Sequence, residues 1–139
     1  MGGRHERRTV DERLRLLTFP LDGGRTAVPA ARHAIEEVLR CRPVSAELVD
    51  AVLLVASELV ANAVEHGGGA DRLELDWQQD SVVLRVWDRG VGRPQQRDLD
   101  PGSVRGRGLV LVQGLSEEWG CEPRSGGKSV WSRFSLVSA

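Results

Sequence analysis

A chain of 139 residues is long enough for one domain with a buried core, and 40% hydrophobic with 28% charged residues is the make-up of a soluble globular domain. A formal net charge of -1 offers no global electrostatic basis for holding nucleic acid. The charged N-terminus lacks the apolar centre of a secretion signal, no apolar run reaches membrane length without charge, and Cys41 and Cys121 show neither metal nor redox spacing. Together these features predict a cytoplasmic protein that is neither a membrane protein nor a disulfide scaffold.

In chain order, residues 1–12 read as a disordered tail and 13–139 as a single domain. Leu14 to Phe19 reads as a first strand closed by Pro20, and Leu21 to Thr26 as a loop. Val28, Ala31, Ile35, Val38 and Leu39 recur at helical spacing, with Pro29 tolerated in the first turn. Arg42 and Pro43 break that helix, and Ser45 is placed to cap the next one.

From Ala46 to Val64 nearly every residue is Ala, Val or Leu. The run is too long for a strand, so a buried central helix is predicted. Its polar residues Glu47, Glu58, Asn62 and Glu65 fall within one narrow arc, with Glu58 and Asn62 one turn apart and pointing the same way. A solvated helix edge and a ligand-facing stripe both fit this pattern. Gly67-Gly68-Gly69 ends the helix and is expected to leave a flexible exit.

A hairpin follows, with strands over Arg72–Trp77 and Val82–Asp88. Val82, Leu84 and Val86 share one strand face, and Asp88 continues it, an unusual register for a carboxylate. Asp88 either lies past the strand end in water or waits as a buried acceptor for a ligand donor. Gly90 and Gly92 allow a backbone to approach something flat, although such a pair is also an ordinary turn. Arg93 to Arg105 is polar, contains Pro94 and Pro101, and reads as a mobile loop. Gly106-Arg107-Gly108-Leu109 opens a helix that runs to about Glu118; free backbone N–H groups, the helix dipole and the adjacent arginines favour an anion there. Trp119 to Pro123 and Lys128 to Val137 complete the chain as strands.

Other chemistries fail on inspection. Gly127-Lys128-Ser129 imitates the end of a phosphate-binding P-loop, but Glu122 stands where its first glycine is needed and a strand pattern follows. Gly90-x-Gly92 lacks the third glycine of a dinucleotide fingerprint. His5, His33 and His66 have no metal spacing with the cysteines; His66 reads as a partner for the helix C-terminus.

Glu-x-x-x-Asn on a helix, Asp-x-Gly-x-Gly after a strand and Gly-x-Gly opening a helix, in that order, resemble the ATP-binding domain shared by gyrase, histidine kinases and the MutL proteins. The resemblance covers roughly Leu14 to Leu136. Within that group, Ser57-Glu-Leu-Val-Ala-Asn-Ala-Val-Glu-His-Gly67 and the ending Gly126-Gly-Lys-Ser-Val-Trp131 resemble the anti-sigma factor serine kinases of the SpoIIAB and RsbW type. The resemblance implies a two-layer α/β sandwich, with helices on one face of a mixed, largely antiparallel sheet. It implies that Glu58 activates the attacking hydroxyl, that Asn62 ligates Mg²⁺ and that Asp88 accepts from the adenine amino group. Gly90 and Gly92 would lie against the nucleotide, and Gly106 and Gly108, with Leu109 after them, would stand at the phosphate end. Arg105 or Arg107 would meet the γ-phosphate. Ser129 stands where the family has a threonine beside the adenine.

The implied function is that of a Mg²⁺- and ATP-dependent serine/threonine protein kinase that phosphorylates an anti-sigma-factor antagonist and sequesters a sigma factor. Protein partners are implied, with no direct nucleic acid or membrane contact, and a homodimer is favoured. Two alternatives stand beside it. One is a non-catalytic ATP-binding module that acts by occupying its partner. The other is a histidine kinase fragment, which would need a dimerising helical module ahead of Ser45 where few residues are available.

Overall fold

The structure, a computed structural model, describes residues 15–22, 24–66, 68–89 and 112–136. The predicted tail and the predicted loop over Arg93–Arg105 lie outside them. The elements are β1 (Leu16–Pro20), α1 (Ala27–Arg40), α2 (Ala46–His66), β2 (Ala70–Trp77), β3 (Ser81–Asp88), β4 (Glu118–Arg124) and β5 (Gly127–Ser135). The strands form one five-stranded sheet in the order β1-β2-β3-β5-β4. Every described pairing is antiparallel, in keeping with the largely antiparallel sheet of the expected two-layer sandwich.

The helices form because their apolar residues fall on one side at helical spacing. In α1, Ala27, Ala31, Ile35 and Leu39 recur every fourth residue and are all buried. In α2, Val52, Val55, Ala56, Leu59, Val60 and Ala63 are buried. They join Leu73, Leu75, Val82, Leu84, Val86 and Phe134 from the strands in one core, which makes the two layers. The Ser45 hydroxyl accepts from the Leu48 N–H at 3.1 Å and caps α2 as the sequence predicts. Thr26 does not cap α1 in this way. Its hydroxyl donates to the Asp22 carboxylate, which also accepts from the Gly24 N–H at 3.2 Å. The Thr26 bond first, and then the Gly24 bond, hold the Asp22 carboxyl below its ordinary range.

The opposite face of the sheet carries no helix among the described residues and is covered by paired charges and indoles. Trp87 lies between two guanidinium groups, with Arg72 at 4.3 Å and Arg124 at 4.9 Å from its ring centroid, and its indole N–H donates to the Glu74 carboxylate. Gly120 is the cross-strand partner of Trp131. A Cβ at Gly120 would come within 2.8 Å of that ring, so glycine is what lets the indole lie flat across β4.

Two local expectations are corrected. The helix expected to run to Glu118 is helical over 112–115 in its described part, and the Glu117 N–H already bonds to the Arg133 carbonyl at the start of β4. The exit of α2 is fastened where a flexible one was expected. Gly69, at φ 105°, donates its N–H to the Ala63 carbonyl at 3.2 Å, and its own carbonyl accepts from the Arg89 N–H at 3.2 Å.

Candidate functional site

The polar stripe of α2 is real in three dimensions. Glu47 and Glu65 are exposed, and Glu58 and Asn62 are half-buried on the same side of the helix, which also carries the exposed Asp50 and Leu54. Rise along a helix is about 1.5 Å per residue, so Glu58 and Asn62 stand roughly 6 Å apart along the axis. Beside them, Arg32 Nη1 donates to Ser57 Oγ at 2.9 Å, and that hydroxyl donates to the Leu53 carbonyl at 2.8 Å. These bonds tie α1 to α2 immediately before Glu58.

Asp88 is buried at 6% exposure, in register with the core face of β3. It therefore does not lie past the strand end in water. The Gly68 N–H donates to Asp88 Oδ1 at 3.2 Å, linking the end of β3 to the exit of α2. Lys128 Nζ donates to Asp88 Oδ2 at 3.1 Å, and only 10% of the lysine and 3% of the aspartate side chain are exposed. The chain leaving β3 is held on its other side by Arg89, whose Nε and Nη2 reach Asp71 Oδ1 at 3.3 and 3.0 Å.

The sheet register sets Ser129 on a different face of the sheet from Asp88. Asp88 pairs with Lys128 across β3 and β5, whereas Ser129 pairs with Trp87. Directly paired residues share a face and neighbours along a strand alternate, so Ser129 projects on the side opposite Asp88. It is fully buried there and accepts from Arg85 Nη1 at 3.1 Å. The residue facing Asp88 is Lys128, which reading the sequence alone had not placed in the site. Gly90, Gly92, Arg105, Gly106, Arg107, Gly108 and Leu109 lie outside the described residues.

Gly127 is a second residue the sequence reading missed. A Cβ there would lie 2.0 Å from the Asp88 carbonyl oxygen and 3.1 Å from the Arg89 Cα. Backbone, not a flexible side chain, is what it would strike, so Gly127→Ala must push β5 away from the end of β3. Overpacking of this kind costs roughly 1–3 kcal/mol. We expect Gly127→Ala to lower the urea midpoint accordingly; an unchanged midpoint would show that β5 does not approach this closely.

The donor set suits a purine nucleotide. A carboxylate offers about four lone-pair positions, so bonds from Gly68 and Lys128 are compatible with a further bond from a base amino group. The Asn62 amide oxygen is a hard ligand of the kind Mg²⁺ accepts. The described residues contain no cluster of three or more His, Cys, Asp or Glu side chains able to hold a metal, so a metal at Asn62 would take its other ligands from phosphate and water. A cavity of about 920 Å³ opens elsewhere, against Ser45, Glu47, Trp77 and Phe134. It sits at the other end of α2 and of the strands, about 20 Å from the Asp88 end by helix and strand rise.

Residues 24–134 match the family described as the histidine kinase-like ATPase domain. No curated protein matches the chain. Among solved structures, the chain is similar to the RsbU and RsbW domains of a Mycobacterium tuberculosis protein, at TM-score 0.65 and 20% identity, over 89% of this chain and 34% of that one. It thus spans well under two thirds of that relative. It is similar to the SiaB–SiaC complex from Pseudomonas aeruginosa, at TM-score 0.62 and 17% identity, over 94% of this chain and 96% of that one. It is also similar to the histidine kinase domain of a blue-light activated histidine kinase from Erythrobacter litoralis, at TM-score 0.56 and 22% identity, over 80% of this chain and 60% of that one. At these identities the structural likeness is one of fold. The family match takes in α1, α2, Asp88 and nearly all of β5, and the two-layer architecture agrees with it: the chain belongs to the histidine kinase-like ATPase domain family.

Proposed function

We propose that this chain binds Mg²⁺ and ATP and transfers the γ-phosphoryl group to a serine or threonine of an anti-sigma-factor antagonist, and that in its other state it sequesters a sigma factor. The observation that carries the nucleotide reading is the Gly68–Asp88 bond, which fixes a buried carboxylate against the end of the helix that bears Glu58 and Asn62. A base at Asp88 would run its phosphates back along the polar stripe. Asn62 lies about 6 Å before the last residue of α2, by helix rise, and would hold the metal. Mg²⁺, when bound, neutralises phosphate charge. Phosphoryl transfer depends mainly on positioning and charge neutralisation, so a carboxylate one turn away suffices to orient and deprotonate an acceptor hydroxyl. In the same proposal Gly106 and Gly108, with Arg105 or Arg107, meet the phosphates, and Gly90 and Gly92 line the base.

Support for the partner class comes from the likeness to an RsbW domain and to a two-protein complex, and from the wording of Ser57–Gly67. None of the described helices is long and apolar enough to cross a membrane. The histidine kinase alternative gains nothing at His33, an exposed residue of α1 engaged with Glu37 at 3.1 Å. The partner-occupying ATP-binding module differs from the kinase in one observable, transfer of label.

The test is incubation with γ-labelled ATP, Mg²⁺ and a panel of antagonist proteins from the same organism. Label on a serine or threonine of one antagonist is expected. If ATP binds and no antagonist is labelled, the binding-module reading replaces the kinase. Asn62→Ala should weaken ATP binding about tenfold or more in Mg²⁺, the scale of one lost contact to a charged group, and change it little in the presence of a chelator. Calorimetry under both conditions separates the metal from the nucleotide; equal losses in both would remove Asn62 from the metal.

A further inference from the structure

We propose that Lys128 is a second base-reading residue, and that with Asp88 it lets the site accept 6-oxopurine as well as 6-aminopurine triphosphates. The inference rests on the nucleotide-binding reading above. Lys128 is the one lysine in a chain that otherwise uses arginine, and it is nine-tenths buried. Its Nζ stands 3.1 Å from Asp88 Oδ2, and its backbone is the cross-strand partner of Asp88. Any group that reaches the Asp88 carboxylate from the core side of the sheet therefore meets an ammonium beside it. A buried ion pair is a weak source of stability, since apolar side chains of similar volume commonly serve a fold as well, so its presence at the recognition carboxylate points to recognition.

The chemistry of the purine edge follows. Adenine presents an amino donor at C6 beside an acceptor at N1, and guanine presents a carbonyl acceptor at C6 beside an N1–H donor. A carboxylate has no proton to offer, so opposite the C6 position it accepts from the adenine amino group and repels the guanine carbonyl, and Asp88 held there alone selects adenine. Lys128 supplies the missing donor. With adenine, Asp88 accepts from the 6-amino group and Lys128 donates to N1. With guanine, Lys128 donates to O6 and Asp88 accepts from N1–H. The order of donor and acceptor reverses between the two bases while Asp88 is held by Gly68. Taking guanine therefore requires the base to slide one position along its edge and the ammonium to swing to the other side of the carboxylate. The flexible stem and three rotatable donors of lysine allow that movement, and a planar guanidinium would not. Discrimination of a thousandfold or more requires a buried polar group left unpaired by the wrong ligand, and here neither base leaves one.

The experiment is calorimetry on the full chain with Mg²⁺ and ATP, GTP or ITP. Dissociation constants for ATP and GTP within about tenfold of each other are expected. ITP, which has the 6-oxo group and N1–H without the 2-amino group, should match GTP. Lys128→Met should weaken GTP and ITP at least about tenfold more than ATP. ATP binding with GTP weaker by a factor of a hundred or more overturns the inference and leaves the nucleotide site standing. GTP binding without ITP binding also overturns it, because the 2-amino group would then be what is read. If no nucleotide binds, the site reading falls and this inference falls with it. The wild-type comparison among the three nucleotides decides the matter even where Lys128→Met does not fold.

Discussion

Glu58→Gln should lower phosphoryl transfer to the antagonist by about 10²–10⁴-fold, the range of a positioned general base, and leave ATP affinity near that of the wild type. The half-buried Glu58 side chain lies on the same stripe as Asn62, yet in the proposed arrangement it touches the acceptor hydroxyl and not the nucleotide. Glutamine keeps its shape and its hydrogen-bonding oxygen and loses only the ability to take a proton. An interaction made only as the phosphoryl group moves is lost from the rate and not from ground-state binding. Sigma-factor binding should survive as well, since sequestration uses surface. Single-turnover labelling, titration of ATP by calorimetry and a sigma pull-down on the same preparation make the comparison. If the variant labels the antagonist as fast as the wild type, Glu58 is not the base. If ATP affinity falls in parallel with the rate, Glu58 holds the nucleotide and the assignment of roles changes.

What could be read from the sequence was what local periodicity encodes. The length and polar stripe of α2, the Ser45 cap and the β2–β3 hairpin depend on residues near one another in the chain, and each is where the pattern places it. The register of β5 against β3 depends on residues some forty positions apart and has no local signature. The register sets Lys128, not Ser129, across from Asp88, and with a period of two a shift of one residue exchanges the faces of the sheet. That single step hid Lys128, whose sequence neighbourhood, Gly127-Lys128-Ser129, reads as a failed phosphate loop. Gly127 was hidden for the same reason: its constraint comes from the Asp88 carbonyl across the sheet, not from its own turn. The glycines after α2 read as slack because composition says nothing of partners, whereas Gly68 and Gly69 are bonded to Asp88, Ala63 and Arg89.

Asp88→Asn should be far more costly than the loss of one base contact. The nucleotide contact itself is worth roughly 1–3 kcal/mol, as for any buried polar group left unpaired. The fold adds a larger cost. Removing the carboxylate leaves the Lys128 ammonium nine-tenths buried with its counter-charge gone, and breaking a buried ion pair from one side costs about 3–5 kcal/mol. A domain of ordinary stability has about 5–15 kcal/mol in total, so the single variant should unfold at markedly lower urea and temperature. Asp88→Asn combined with Lys128→Met removes both charges. The asparagine oxygen can still accept from the Gly68 N–H, and the methionine fills much of the lysine slot, so most of the lost stability should return. Nucleotide affinity should not return, because the acceptor for the base amino group is gone. The two properties therefore separate: stability follows the balance of charge between positions 88 and 128, and binding follows the Asp88 carboxylate. Urea denaturation of the wild type, both single variants and the double variant gives the coupling energy, and calorimetry on the folded members gives the affinities. An Asp88→Asn variant as stable as the wild type would mean that the ion pair is not buried as described, and a double variant that binds ATP as the wild type does would remove Asp88 from the base-reading role.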